Sequence, residues 1–122
     1  MGQKLQHTIL VVEDAEETRE MLGEVFEYEG MLVITAVDGA DAIAKIRNDM
    51  PDVILTDLRM PNMNGLEMSR YLKAQPEFLN IPIVLLSATL PSDLSEIPEV
   101  DVFLRKPCSI EEVIKTVKKT LR

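Results

Sequence analysis

Five short apolar runs, separated by segments with helical spacing, constrain the fold of this chain more than any other feature. Each run is too short for a helix, and most residues of the five runs taken together are β-branched, which favours strands. The runs cover residues 9–12, 32–36, 53–55, 83–86 and 102–104. The order is therefore strand then helix, repeated five times. This alternation predicts a parallel sheet with helices on both faces.

The length of 122 residues fits one domain. A chain of this size buries roughly two thirds of its unfolded surface, so its core needs neither disulfides nor zinc. The sequence contains no linker, internal repeat or low-complexity segment. We therefore expect residues 1–122 to form a single domain.

The first predicted helix has a signal at each end. Asp14 and Glu17 have the spacing of a capping box, and Gly30 is placed to end the helix. Its expected buried residues are Met21, Leu22, Val25 and Phe26. Taken alone, Asp14 is as well explained by an N-cap role as by any functional one.

Three further helices are predicted after Asp38, from Gly65 and after Ser109, where Glu112 completes a second capping-box pattern. The connection over residues 88–101 carries a weaker signal. Pro91 and Pro98 interrupt it, so a helix there has at most about two turns.

Charge and cysteine content exclude several classes of function. Thirteen basic and 21 acidic residues give 13 − 21 = −8, so the field of the molecule repels nucleic acids and anionic membranes. No apolar run approaches the ~20 residues that span a bilayer. The start of the chain is polar, and the single Cys108 suits a reducing compartment. We therefore expect a cytoplasmic protein that binds neither nucleic acid nor membrane.

Polar side chains follow four of the five predicted strands. They are Glu13 and Asp14 after the first, Asp57 after the third, Ser87 after the fourth and Lys106 after the fifth. Ligands of open parallel sheets bind beyond these strand ends, where the strand order reverses. Clustered carboxylates need a cation, and oxygen ligands without nearby His or Cys favour Mg²⁺. A carboxylate in such a site is also a possible nucleophile toward phosphorus, with the hydroxyl and amine as donors to phosphoryl oxygens.

These residues, taken together, resemble the receiver domain of response regulators in two-component signalling. The resemblance spans about residues 8–121. Its motifs are Glu13-Asp14, Asp57-Leu58-Arg59-Met60-Pro61-Asn62-Met63-Asn64-Gly65, Ser87-Ala88 and Lys106-Pro107. It implies a flavodoxin-like fold with strand order 2-1-3-4-5.

The resemblance also implies a role for each site residue. Asp57 matches the phosphoacceptor, and Lys106, which precedes a typically cis proline, matches the phosphate-binding lysine. Asp14, Asp57 and the backbone carbonyl of Arg59 match the Mg²⁺ ligands, with Glu13 acting mostly through water. Ser87 and Phe103 match the switch hydroxyl and aromatic residue, although Phe103 is expected in the core in either case. Phosphorylation would then change the face around the fifth strand and the helices beside it.

The sequence departs from the family pattern in four places. Asn64 replaces a common aspartate, and the segment between Ser87 and Lys106 is short, so we expect a shortened fourth helix. Arg59 and Thr89 occupy positions that influence the lifetime of the phosphoryl group. Our hypothesis is that Arg59 overhangs the site and shields or binds the phosphate.

Other functions are possible on this topology. A phosphohydrolase with an aspartate nucleophile commonly has an acid where Arg59 stands. A flavin carrier needs a first loop that binds phosphate, and here the phosphate would be repelled by Glu13, Asp14, Glu16 and Glu17. A receiver-like interaction module that works without phosphorylation is the main alternative. The expected partners are a histidine kinase or phosphotransfer protein, and a downstream protein or a second copy of the chain.

Overall fold

The fold was analysed in a computed structural model, which describes residues 6–88 and 100–121. Its strands are β1 (Thr8–Val12), β2 (Leu32–Ala36), β3 (Val53–Asp57), β4 (Ile83–Ser87) and β5 (Val102–Arg105). Its helices are α1 (Glu16–Tyr28), α2 (Gly39–Asn48), α3 (Gly65–Lys73) and α4 (Ile110–Thr120). All five predicted strands are confirmed. The short helix predicted within residues 88–101 falls mainly on residues outside those described.

The strands form one parallel sheet in the order β2-β1-β3-β4-β5, which confirms the predicted topology. The strand order reverses between β1 and β3, so a crevice opens beyond their carboxyl ends. The register aligns these ends, because Val12 pairs with Thr56 and Asp57 pairs with Leu86. The residues that follow the strands are therefore brought to one edge of the sheet.

Alternation along the strands separates two apolar cores. Ile9 and Val11 face α1 and α4, where they pack with Phe26, Val113 and Val117. Leu10 and Val12 point to the other face, and their cluster there includes the following buried residues of α2 and α3: Ala42, Ile46, Met68 and Leu72. Burial of both faces holds the sheet rigid beneath its loops.

The predicted start of α1 is wrong in its detail. Its N-cap is Ala15, which makes no side-chain cap, and the Glu13 carboxylate accepts the Ala15 N–H at 2.9 Å instead. Met21, expected in the core, is 41% exposed. Gly30 follows the end of the helix with φ of 87°, a conformation that glycine adopts readily.

The other helix starts agree with the sequence. Asp38 caps α2 and Ser109 caps α4, each accepting the N–H of the third residue beyond it. No helix within the described residues is long and apolar enough to cross a membrane.

Candidate functional site

The crevice beside β1 and β3 contains a cluster of acidic side chains. Carboxylate oxygens of Glu13, Asp14 and Asp57 all lie within 4.8 Å of one another. Glu13 is buried, Asp57 is partly buried and Asp14 is exposed. The cluster is therefore open to solvent on one side and enclosed by protein on the other.

Asp57 has a different partner for each of its two carboxylate oxygens. Its Oδ1 accepts the backbone N–H of Leu58 at 2.7 Å, while its Oδ2 lies 3.3 Å from Lys106 Nζ. The side chains of Asp57 and Lys106 are 16% and 33% exposed, so a small molecule can reach both from solvent. The hydrogen bond from Leu58 and the contact with Lys106 together hold the Asp57 carboxylate in one orientation.

Glu13 is the buried carboxyl group of the cluster, and its charged form is disfavoured there. Burial raises the pKa of its carboxyl above the usual value, and the nearby charge of Asp57 raises it further. The hydrogen bond from Ala15 and the charge of Lys106 act in the opposite direction. The desolvated Glu13 and its negative neighbours form a site that an added cation would stabilise.

The donor chemistry fits a hard divalent cation. The cluster offers oxygen atoms from carboxylates at three positions, with no cysteine or histidine among its members. Arg59 is exposed, and it lines a cleft of about 640 Å³ together with Asp14, Leu58, Met60, Pro61, Asn64 and Leu66. The residues present therefore suit Mg²⁺, and Arg59 lies on the cleft that contains Asp14.

Close packing against α3 fixes the backbone of Asp57. A Cβ atom at Gly65 would lie 2.3 Å from the Asp57 carbonyl oxygen and 2.9 Å from Leu85 Cδ1. Only glycine fits this approach without displacing the strand end. Asn64 and Glu67 form a full capping box at the start of α3. The Asn64 side chain accepts the Glu67 N–H at 2.8 Å, and the Glu67 side chain accepts the Asn64 N–H at 3.0 Å. Asn64, which departs from the family pattern, was not predicted as this cap, although its spacing to Glu67 is the signal for one.

The other predicted site residues lie on the β4–β5 side. Ser87 is only 2% exposed, and its backbone carbonyl accepts the Lys106 N–H at 2.9 Å. The peptide bond between Lys106 and Pro107 is cis. Phe103, expected in the core, is only partly buried. Thr89 lies outside the described residues.

Two features near the site were not predicted. The Arg19 guanidinium donates to the carbonyl oxygens of Glu13 and Asp14, at 3.0 and 3.3 Å, and so holds the turn between β1 and α1. The available signal was a basic residue in the first turns of α1, shortly after the acidic pair Glu13-Asp14 at the end of β1. In addition, a cavity of about 450 Å³ lies between α1 and α4, lined mainly by apolar residues and by Lys106. Long-range packing creates this cavity, and no local pattern indicates it.

Comparison with known proteins identifies one family. A profile described as the response regulator receiver domain matches residues 9–118. The chain is 31% identical to protein PilG of Pseudomonas aeruginosa, covering 90% of this chain and 84% of PilG. It is 35% identical to the probable transcriptional regulatory protein TcrX of Mycobacterium tuberculosis, covering 94% of this chain but only 50% of TcrX.

A solved structure gives a similar result. The response regulator TrrA of Thermotoga maritima, in complex with Mg²⁺ and BeF, superimposes with a TM-score of 0.83 at 32% identity. The match covers 94% of this chain and 99% of TrrA.

Proposed function

Because the chain belongs to the response regulator receiver domain family, we propose that it is a phosphoacceptor module of two-component signalling. In this proposal Asp57 accepts a phosphoryl group from a histidine kinase, a phosphotransfer protein or a small phosphodonor. The observation that supports it most is the placement of one Asp57 oxygen 3.3 Å from Lys106 Nζ, within an acidic cluster that suits Mg²⁺.

The transfer forms one bond and breaks another. An Asp57 carboxylate oxygen attacks phosphorus, and the bond between phosphorus and the donor breaks, with the electron pair leaving on the donor. The Lys106 ammonium then donates to a phosphoryl oxygen, and the Ser87 hydroxyl is proposed as a second donor. Both groups stabilise charge that develops on the phosphoryl oxygens during transfer.

Asp14, Asp57 and the backbone carbonyl of Arg59 are the proposed ligands of Mg²⁺, and Glu13 is proposed to act mostly through a bound water. The bound ion would neutralise charge on the carboxylates and on the phosphoryl oxygens. The raised pKa of Glu13 supports this assignment, because it reflects a buried carboxyl beside another negative charge.

The proposed chemistry takes place only on the protein itself. The module accepts a phosphoryl group and slowly loses it by hydrolysis, without turning over a separate substrate. Arg59 supports this view, because it stands where related phosphohydrolases commonly carry a second acid. We propose that residues 1–122 act as one receiver domain.

We propose that the signal leaves through a protein contact. Phosphorylation would draw Ser87 toward the site and let Phe103 turn behind it, which changes the surface around β5 and α4. A downstream protein or a second copy of the chain would bind that surface. The net charge of −8 argues against nucleic acid as a direct partner, and the free Cys108 supports a cytoplasmic location.

Intact mass spectrometry tests the phosphoacceptor role directly. The protein is incubated with acetyl phosphate and Mg²⁺ beside two controls, the Asp57→Asn variant and a sample with chelator. We expect one added phosphoryl group that is missing in both controls. If neither acetyl phosphate nor any member of a panel of histidine kinases and phosphotransfer proteins adds a phosphoryl group, the result would favour an interaction module that works without phosphorylation.

A further inference from the structure

The Asp38 side chain joins two elements that are distant in sequence. Its Oδ1 accepts the N–H of Asp41 at 2.8 Å and so caps α2, while its Oδ2 accepts the side-chain amide of Asn62 at 2.8 Å. An N-cap needs only one acceptor, which serine or asparagine also provides. The second carboxylate oxygen is therefore free for the bond to Asn62, and Asp38 is only 7% exposed.

Asn62 lies in the loop over residues 58–64, between the end of β3 and the start of α3. Its φ of 67° is in the left-handed region, where glycine is the usual choice and asparagine is tolerated. Asparagine adds what glycine lacks, an amide that donates to Asp38. The residue type thus suits both the turn and the bond.

A second contact joins the same loop to the same helix. The Gly39 N–H donates to the Met63 carbonyl at 3.0 Å. A Cβ atom at Gly39 would lie 2.8 Å from that oxygen, so the backbones approach as closely as glycine allows. The start of α2 therefore holds the loop at two consecutive positions, 62 and 63.

The ends of this loop are held at the acidic site. The Leu58 N–H donates to Asp57 Oδ1 at 2.7 Å, and the Gly65 N–H donates to the Leu58 carbonyl at 2.9 Å. Arg59 lies between these anchors and the contacts with α2. The position of its backbone carbonyl, the proposed Mg²⁺ ligand, thus depends on how the loop is held.

We propose that Asp38 and Asn62 are positioning residues for the acidic site: their hydrogen bond fixes the loop over residues 58–64 and so sets the affinity for Mg²⁺. This inference rests on the proposed function, because it takes the Arg59 carbonyl as a ligand. Neither side chain touches the metal in this proposal. Both act through the backbone of the loop over residues 58–64, which joins Asn62 to Asp57.

The decisive variant is Asn62→Gly, which keeps the left-handed turn and the cap of α2 but removes the amide. Its Mg²⁺ affinity, measured by calorimetry with the metal alone, should fall about 3- to 10-fold, less than the ~10–100-fold cost of losing a group bonded directly to a ligand. Without metal, hydrogen exchange at the Gly39 amide should speed up, because its bond to Met63 opens more often. Saturating Mg²⁺ should bring the phosphorylation rate back near that of the unmodified protein.

Two further variants separate positioning from general damage. Asp41→Ala is the matched control, since the Asp41 carboxylate lies on the same helical turn but bonds Val37 and Lys45 rather than the loop. It should leave Mg²⁺ affinity unchanged. The double exchange Asp38→Asn with Asn62→Asp keeps charge, cap and bond, because the new amide at position 38 can donate to the new carboxylate at position 62. It should restore affinity.

Unchanged Mg²⁺ affinity in folded Asn62→Gly would overturn the inference, and so would an equal loss in Asp41→Ala. Failure of the unmodified protein to bind Mg²⁺ would overturn it together with the proposed ligand set. If Mg²⁺ binds and depends on Asn62 but Asp57 takes no phosphoryl group, the positioning role stands and only the proposed function fails.

Discussion

The substitution Glu13→Gln should stabilise the metal-free protein. The amide oxygen of glutamine can still accept the Ala15 N–H that Glu13 accepts at 2.9 Å, so the local hydrogen bond is kept. What the substitution removes is a buried negative charge beside Asp14 and Asp57. A carboxylate at this position is consistent with the proposed Mg²⁺ site, where a stabilising cation would offset its electrostatic cost.

The size of the effect follows from the geometry of the cluster. Two unit charges at 4.8 Å, the upper limit of the separations between carboxylate oxygens in the cluster, repel by about 3.5 kcal/mol at an effective dielectric constant of ~20 and by about 0.9 kcal/mol in water. The site is open on one side, so its repulsion lies between these values. We expect the free energy of unfolding in chelator to rise by roughly 1–3 kcal/mol.

Mg²⁺ should narrow the stability difference between Glu13→Gln and the unmodified protein. Mg²⁺ at 100 times its dissociation constant stabilises a native protein by about 2.7 kcal/mol. Glu13→Gln binds the ion more weakly and gains less, so its advantage in chelator should shrink or disappear in excess Mg²⁺. Denaturant titrations followed by circular dichroism, with and without Mg²⁺, measure all four values.

The effect should also depend on pH in a defined direction. The pKa of Glu13 in the folded protein is raised above its usual value of 4.5, so protonation favours the folded state. The penalty is fully present above the folded pKa, shrinks as the pH falls through that pKa, and is gone below the usual value of 4.5. The stability difference between Glu13→Gln and the unmodified protein should therefore narrow on acidification.

Glu17→Gln is the matched control, because it neutralises an exposed carboxylate at the start of α1. Loss of charge there should cost about 0.3–1 kcal/mol through the helix dipole. Lower stability of Glu13→Gln than of the unmodified protein in chelator would contradict this prediction, and so would a pH dependence of its stability equal to that of Glu17→Gln.

Three further predictions concern the site. Gly65→Ala should lower the free energy of unfolding by about 1–3 kcal/mol and slow phosphorylation, because its Cβ would lie 2.3 Å from the Asp57 carbonyl; denaturation and intact mass measure the two effects, and an unchanged stability would contradict the packing argument. Lys106→Ala should slow phosphorylation by acetyl phosphate while keeping or tightening Mg²⁺ binding, since it removes a cation 3.3 Å from Asp57; weaker binding in calorimetry would argue against this. Arg59→Ala should change the lifetime of the phosphoryl group, followed as decay of the added mass, and identical decay would reject the shielding hypothesis.

Much of this molecule was predictable from local patterns. Alternating apolar runs predicted the parallel sheet, because burial on both faces requires continuous apolar strands and leaves polar residues at their ends. The strand order was implied by the resemblance to the receiver family and not by the runs themselves. Asp38 and Ser109 were recognisable as caps, since an N-cap acts on backbone only three residues away. The acidic residues after β1 and β3 were expected at one edge, because the carboxyl ends of parallel strands lie at the same edge of a sheet.

The tertiary structure decided what those neighbouring residues do. Glu13 rather than Asp14 satisfies the backbone at the start of α1, because the sheet buries Glu13 and leaves Asp14 exposed in the crevice. The bond between Asp38 and Asn62 spans 24 positions, and the contact of Gly65 with the Asp57 carbonyl depends on how α3 packs. Local signals extend over one turn of helix or one strand, whereas these contacts depend on register, turn geometry and packing between elements. Local patterns therefore predict the parallel sheet and the polar residues at its edge, whereas packing between elements sets the exposure and the hydrogen-bond partners of those residues.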